Sequence, residues 1–192
     1  MTVSHAGRER LKSFIGPRLT VMARCMLRGQ PLPRWGNLRR VVRESHTVDI
    51  VPGFHATYTC DLANAAQIPS DYYDCFLAPN TLQHLAALGP ALRTMLRVVK
   101  PGGTLLASAA GLLPLITDGG DYWRLSADGW RRVFELEWAG CDVTVEAHGN
   151  CLSVVAAMYG LAHEELSRSE LDAHDPRYPV LITIRGRKPF ES

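Results

Sequence analysis

Short apolar runs alternating with helical segments constrain this chain more than any other feature of its sequence. Residues 47–51 (TVDIV) end at Pro52-Gly53, residues 57–60 at Asp61, and residues 73–78 (YDCFLA) at Pro79-Asn80. Residues 104–109, 141–147 and 180–187 (VLITIRGR) continue the series, the last rich in Val, Ile and Thr, which favour extended backbone. Between these runs, apolar spacing predicts helices over residues 85–99, 127–138 with Ser126 as cap, and 153–166. Uninterrupted apolar strands separated by helices specify an α/β domain of about six strands, mostly parallel, with helices on both faces and residues 73–78 central. Whether the last strand runs antiparallel is left open. In such sheets ligands bind beyond the carboxyl ends of the strands, so the residues after each strand are the functional candidates.

The first 46 residues have a different texture and are set apart as a basic helical arm and connector, with residues 47–192 as the α/β domain. Residues 1–43 carry ten basic side chains against Glu9 alone, a net +9 in a chain whose total is +2. Leu11, Phe14, Ile15, Leu19, Met22, Cys25 and Met26 recur at helical spacing over residues 8–28, with a break at Pro17. That face is expected to dock on the acidic remainder of the chain or across the two-fold axis of a homodimer. Aromatic residues for stacking on bases are nearly absent from residues 1–34, which argues against nucleic acid. A composition of 46% apolar and 21% charged residues excludes a disordered chain. No apolar run approaches the ~20 residues of a membrane span, and the N-terminus lacks an apolar leader, so a cytoplasmic protein is expected. Five cysteines without a C-x-x-C pair read as buried reduced thiols, and seven histidines without ligand spacing predict no metal.

Two segments carry a family likeness. YYDCFLAPNTLQHL (residues 72–85) and RVVKPGGTLLAS (residues 97–108) resemble the fourth strand, its following helix end and the fifth strand of class I S-adenosylmethionine-dependent methyltransferases of the type-11 group. DYWRLS (residues 121–126) and HGN (residues 148–150) are similar to a biosynthetic subset of that group, and the likeness spans residues 47–189. It implies a reduced Rossmann-like methyltransferase sheet that binds S-adenosylmethionine. Asp49 would hold the ribose, Asp61-Leu62 the adenine, and Pro79-Asn80-Thr81 would face the methyl donor. Asp61 serves equally as a cap over residues 63–65. Within the K-P-G-G turn, Pro101 stops the helix and Gly102-Gly103 supply positive φ.

Methyl transfer is an in-line displacement, so the protein aligns donor and acceptor and removes a proton where the acceptor requires it. His84 is the histidine placed for such a base, with a capping or solvated residue as the alternative. Asp121, Tyr122, Trp123 and Arg124 combine aromatic faces with a guanidinium and suit a substrate wall, although Tyr122 and Trp123 would also close a core beneath a loop. Gly149 permits close backbone approach. Asn150 contacts substrate or caps the next helix.

The chain departs from the family at its first strand, for no G-x-G occurs before Asn80. Residues 48–53 (VDIVPG) then fit either a degraded first-strand motif or a second strand ending in Asp49, and the second register is the better one. Asp49 and Asp74 are 25 residues apart, whereas two strands, two helices and their loops need about 50. The chain therefore reads as shortened by its first strand and helix. The expected function is methyl transfer to a small biosynthetic acceptor, a natural product or saccharide. The alternative is a degenerate homologue, acting as a binding or scaffold subunit or as a catalyst independent of S-adenosylmethionine. Without the glycine turn, the isolated chain is expected to bind S-adenosylhomocysteine only at roughly millimolar concentration.

Overall fold

The structure is a computed structural model that describes residues 21–23, 42, 44–52, 56–116 and 120–190. Among the described residues seven strands form one sheet in the order β3-β2-β1-β4-β5-β7-β6. They are β1 (Val21–Ala23), β2 (His46–Asp49), β3 (Tyr58–Thr59), β4 (Tyr73–Ala78), β5 (Val99–Ala110), β6 (Asp142–His148) and β7 (Leu181–Arg187). The first five are mutually parallel, and β7 runs antiparallel between β5 and β6, which answers the question left open for the last strand.

The first strand is present. Val21 pairs with His46 of β2 on one side and with Phe76 of β4 on the other, so β1 fills the place that the sequence reading had left empty. Seven strands replace the expected six, and a division of the chain at residue 46 cuts through one sheet. At residues 21–23 the expected amphipathic helix is corrected to strand; the rest of that helix lies outside the described residues. Leu19, Met22, Cys25 and Met26 satisfy helical spacing, but Thr20 and Val21 are β-branched, and a strand laddered on both edges needs little propensity of its own.

The shortening lies between β2 and β4 instead. Eight residues join β2 to β3, β3 is two residues long, and one 3₁₀ turn, Leu62–Asn64, stands where a crossover helix was expected. At the amino ends of β2 and β4 the Tyr73 hydroxyl lies 3.0 Å from His46 Nδ1 and 3.3 Å from the Tyr58 hydroxyl, while His46 Nε2 meets Glu44 at 3.0 Å. These contacts tie the two strands that flank β1.

β4 is the fourth of seven strands, as expected of a fully apolar run, and Tyr73, Phe76 and Ala78 are fully buried. Helix α1 (Leu88–Val98) places Leu88, Ala91, Leu92, Met95 and Val98 on the core, at the spacing of one helical face. Helix α2 (Ala127–Glu137) begins at the predicted cap, the Ser126 side chain accepting from Gly129 N, and buries Trp130 and Phe134 beside Trp138. Gly186 of β7 leaves room for that indole, because a Cβ there would stand 2.7 Å from the Trp138 ring. At the K-P-G-G turn only Gly102 has the expected positive φ, +75°. Gly103 is required for another reason: its Cβ would lie 2.9 Å from Lys100 O and 3.0 Å from Asp74 O.

The third predicted helix is shorter than expected. Helix α3 (Cys151–Met158) gives way to a 3₁₀ turn, His163–Glu165, and a short helix α4 (Arg168–Asp172). The four described cysteines are free thiols; Cys75 is buried, which pushes its thiol up to about 12, whereas Cys151 is exposed, contrary to expectation. Among the described residues no helix is long and apolar enough to cross a membrane, and no group of three His, Cys, Asp or Glu side chains could hold a metal ion.

Candidate functional site

Asp49 closes β2 and is 7% exposed. Its Oδ1 accepts a hydrogen bond from Val51 N at 2.9 Å, and its carbonyl accepts from Cys60 N at 2.9 Å, which fixes the strand end beside β3. Oδ2 has no partner among the described residues. Asp61 caps the 3₁₀ turn after β3, its Oδ1 accepting from Ala63 N at 2.8 Å, so the capping alternative is realised. Leu62 is buried in the main core, and its side chain presents no apolar rim to a ligand.

Beyond β4, Pro79 and Asn80 are exposed and Asn80 adopts φ +48°, the left-handed region that asparagine tolerates better than other non-glycine residues. Asn80 N donates to Ser108 Oγ at 2.8 Å, and Ser108 in turn donates to Asn80 Oδ1 at 3.3 Å. The buried Thr81 hydroxyl donates to Pro79 O.

Gln83, which the sequence did not single out, is fully buried and joins these loops. Its Oε1 accepts from Ala110 N at the end of β5, which orients its amide NH₂ toward Asn80 O at 3.1 Å and His84 Nε2 at 3.2 Å. An NH₂ group can only donate, so His84 Nε2 is the acceptor and Nδ1 carries the proton that it gives to Gly120 O. The Gln83 carbonyl accepts from Tyr122 N at 2.8 Å. Both His84 nitrogens are thereby engaged, and in this arrangement the ring links two loops and is not free to act as a base.

The segment after β5 is closed by Arg124. Its Nε donates to Asp121 Oδ1 at 2.8 Å, Nη2 donates to Asp121 Oδ2 and to Pro114 O, and Nη1 donates to Gly111 O and Leu113 O. The guanidinium of Arg124 is saturated within its own loop. Trp123 packs against the core and donates its indole N–H to Leu85 O at 2.7 Å, whereas Tyr122 is exposed. The Arg124 hydrogen bonds hold the buried Asp121 carboxyl below the ordinary range, aided by Ile116 N. Because the folded value is depressed, this contribution to stability is complete above the unfolded value of ~3.9 and is lost as pH falls through the lower folded one. Asp121→Asn is therefore expected to lower unfolding free energy by about 1.5–3 kcal/mol at neutral pH, with the gap from the parent narrowing toward about pH 3 in urea titrations.

Asn150 stands apart, two strands beyond β5. Its Oδ1 accepts from Ser153 N in a capping box, and Nδ2 donates to Glu170 O and Ala173 O, each at 2.8 Å. It lines a groove of about 390 Å³ between α3 and α4 with its amide fully engaged, so it is a cap and not a free contact.

Parallel strands in this order, an acid closing β2 and a loop network over β4 and β5 are thus in place. Residues 35–107 match the type-11 family described as a methyltransferase domain. Over that stretch the chain is similar to the type-11 methyltransferase domain. Its fold is similar to a S-adenosylmethionine-dependent methyltransferase from Archaeoglobus fulgidus, at TM-score 0.62 and 17% identity over 94% of this chain and 90% of that one. It is also similar to the [4+2]-cyclase SpnF, at 0.58 and 16% over 97% and 82%. A third likeness is to phosphoethanolamine N-methyltransferase 2 of Haemonchus contortus in complex with S-adenosyl-L-methionine, at 0.59 and 14% over 93% and 51%. No curated protein sequence matches the chain. The sequence alone did not single out Gln83, Ser108 and Gly120. The first two look like an ordinary first-turn residue and an ordinary strand residue, and only the fold brings them to the domain's upper edge.

Proposed function

We propose that this domain transfers a methyl group from S-adenosylmethionine to a small acceptor. The observation that carries this reading is Asp49, a buried carboxylate at the carboxyl end of the strand beside β1. One of its oxygens is spent on Val51 N and the other is without a partner among the described residues, which fits a ribose diol. When bound, S-adenosylmethionine would supply a sulfonium-activated methyl group to the acceptor, and Asp49 would hold its ribose. Asp49 orients the donor. The Asn80 turn, locked to Ser108, gives the donor-facing loop one conformation. His84 and Gln83 position residues 120–124 against that loop, in place of the base role first expected of His84.

The expectation of weak donor binding rests on the missing glycine turn; β1 supplies the first strand but not that turn. The sequence after Ala23 still reads Arg-Cys-Met-Leu-Arg before its first glycine, Gly29, and a catalyst on the same fold is known as a cyclase. A second reading, catalysis without methyl transfer, therefore competes. Calorimetry with S-adenosylhomocysteine decides between them. The expected result is a one-to-one complex that Asp49→Ala weakens about 10- to 100-fold, the worth of one charge-assisted hydrogen bond. No heat of binding to the parent at millimolar ligand overturns the methyl-transfer reading and favours the second.

A further inference from the structure

Helix α3 is an apolar element that the described residues leave largely uncovered. Ala156 is its one buried side chain. Leu152, Val155, Met158 and Tyr159, at spacings of three and four that put them on one helical face, are 44%, 44%, 53% and 82% exposed. Large apolar side chains gathered on one face, unlike scattered ones, mark a contact surface. The groove between α3 and α4 sets acids beside this face, since Leu152 lines it together with Glu170 and Asp175. Over residues 151–177 five carboxylates stand against Arg168 and Arg177. Asp172 and Asp175 are paired with those two arginines, so Glu164, Glu165 and Glu170 carry the net charge. Such a rim repels nucleic acid and anionic lipid, and what covers the patch must be cationic as well as apolar.

One segment of this chain has that composition. Residues 1–20, which lie outside the described residues, hold Leu11, Phe14 and Ile15 among Arg8, Arg10, Lys12 and Arg18, with Glu9 as the one acid. Helix α3 follows β6, four strands from β1, which is about 19 Å across the sheet at ~4.8 Å per strand. Phe14 and Leu11 precede Val21 by seven and ten residues, a reach of up to about 23 and 33 Å. From the apolar face, its acidic rim and a matching segment within reach, we infer that residues 8–15 of the same chain dock on α3 over Leu152, Val155, Met158 and Tyr159. This docking is independent of the methyl-transfer reading. Lys12 is the only lysine in the segment, and Lys100 and Lys188 are paired with Asp74 and Asp71, so carbodiimide coupling followed by peptide mass spectrometry reports the carboxylates beside Lys12. In the full chain Lys12 is expected to couple to Glu164, Glu165 or Glu170 within monomers. Iodoacetamide is expected to label Cys151, seven residues before Met158 on the same face, slowly. Phe14→Asp and Val155→Asp each remove an apolar side chain from the contact and should weaken docking about tenfold or more, lowering the coupling and speeding the labelling. Leu136→Asp, at an exposed leucine on α2, should change neither. Coupling of Lys12 to other carboxylates or to none, coupling confined to covalent dimers, which would seat the segment on a second copy, or yields and labelling rates unchanged in Phe14→Asp and Val155→Asp overturn the proposal.

Discussion

Gln83→Leu is expected to destabilise the protein by about 3–5 kcal/mol, because it keeps the buried volume while stranding three partners at once. Ala110 N, Asn80 O and His84 Nε2 all meet the Gln83 amide, which is fully buried, and at the buried Ala110 N water does not replace it. Each stranded buried group costs about 1–3 kcal/mol, and at this chain length about 2–4 °C of melting temperature accompanies each kcal/mol. A fall of roughly 6–20 °C should appear in thermal melts. Gln83→Glu tests the donors separately: it retains an acceptor for Ala110 N but removes the NH₂ and buries a charge, and should be at least as harmful. A change below about 1 kcal/mol in Gln83→Leu would show that the amide does not hold the loops together.

Gly149→Ala should be comparably damaging at the other end of the sheet. Gly149 has φ +128°, a region that side chains other than glycine rarely enter. Its added Cβ would lie 2.8 Å from Val180 N and 3.0 Å from Tyr178 O, both backbone atoms that no side-chain rotation can move. The same backbone is held by Asp175 N donating to Gly149 O and Val180 N donating to His148 O, each at 2.8 Å. Strain of ~1–3 kcal/mol and overpacking of ~1–3 kcal/mol act together, for an expected loss of about 3 kcal/mol or more in urea unfolding. Gly160→Ala is the matched control, with positive φ but open space around its Cβ, and should cost only the conformational part.

What the sequence disclosed follows from the range of the forces involved. Strand β4 was placed to the residue and both Ser126 and Asn150 proved to be caps, because apolar runs and capping bonds are local events. β1 escaped detection because its stability is not local: three residues owe their conformation to partners 25 and 55 positions away. The spacing estimate failed for a related reason, since it assumed average strands and helices where the chain uses a two-residue strand and one 3₁₀ turn. At the site, residue types and rough positions were legible, but their roles were not. Whether His84 is a free base depends on a glutamine beside it and on Gly120 O, 36 residues on, and whether Arg124 is free depends on carbonyls that only the folded loop brings near.

The place of β1 also shapes how the chain reaches this state. Among the described residues it is the earliest strand to be synthesised, yet both of its ladders wait for later residues, and Phe76 follows Val21 by 55 positions. At about 5–20 residues per second, the middle of the sheet stays open for roughly 3–11 s of translation. Lys188, which donates to Asp71, makes that contact only after 117 further residues have emerged. With pairings this remote, assembly is slow relative to a helical chain of equal length, and the newborn polypeptide spends that interval with β4 lacking its inner neighbour.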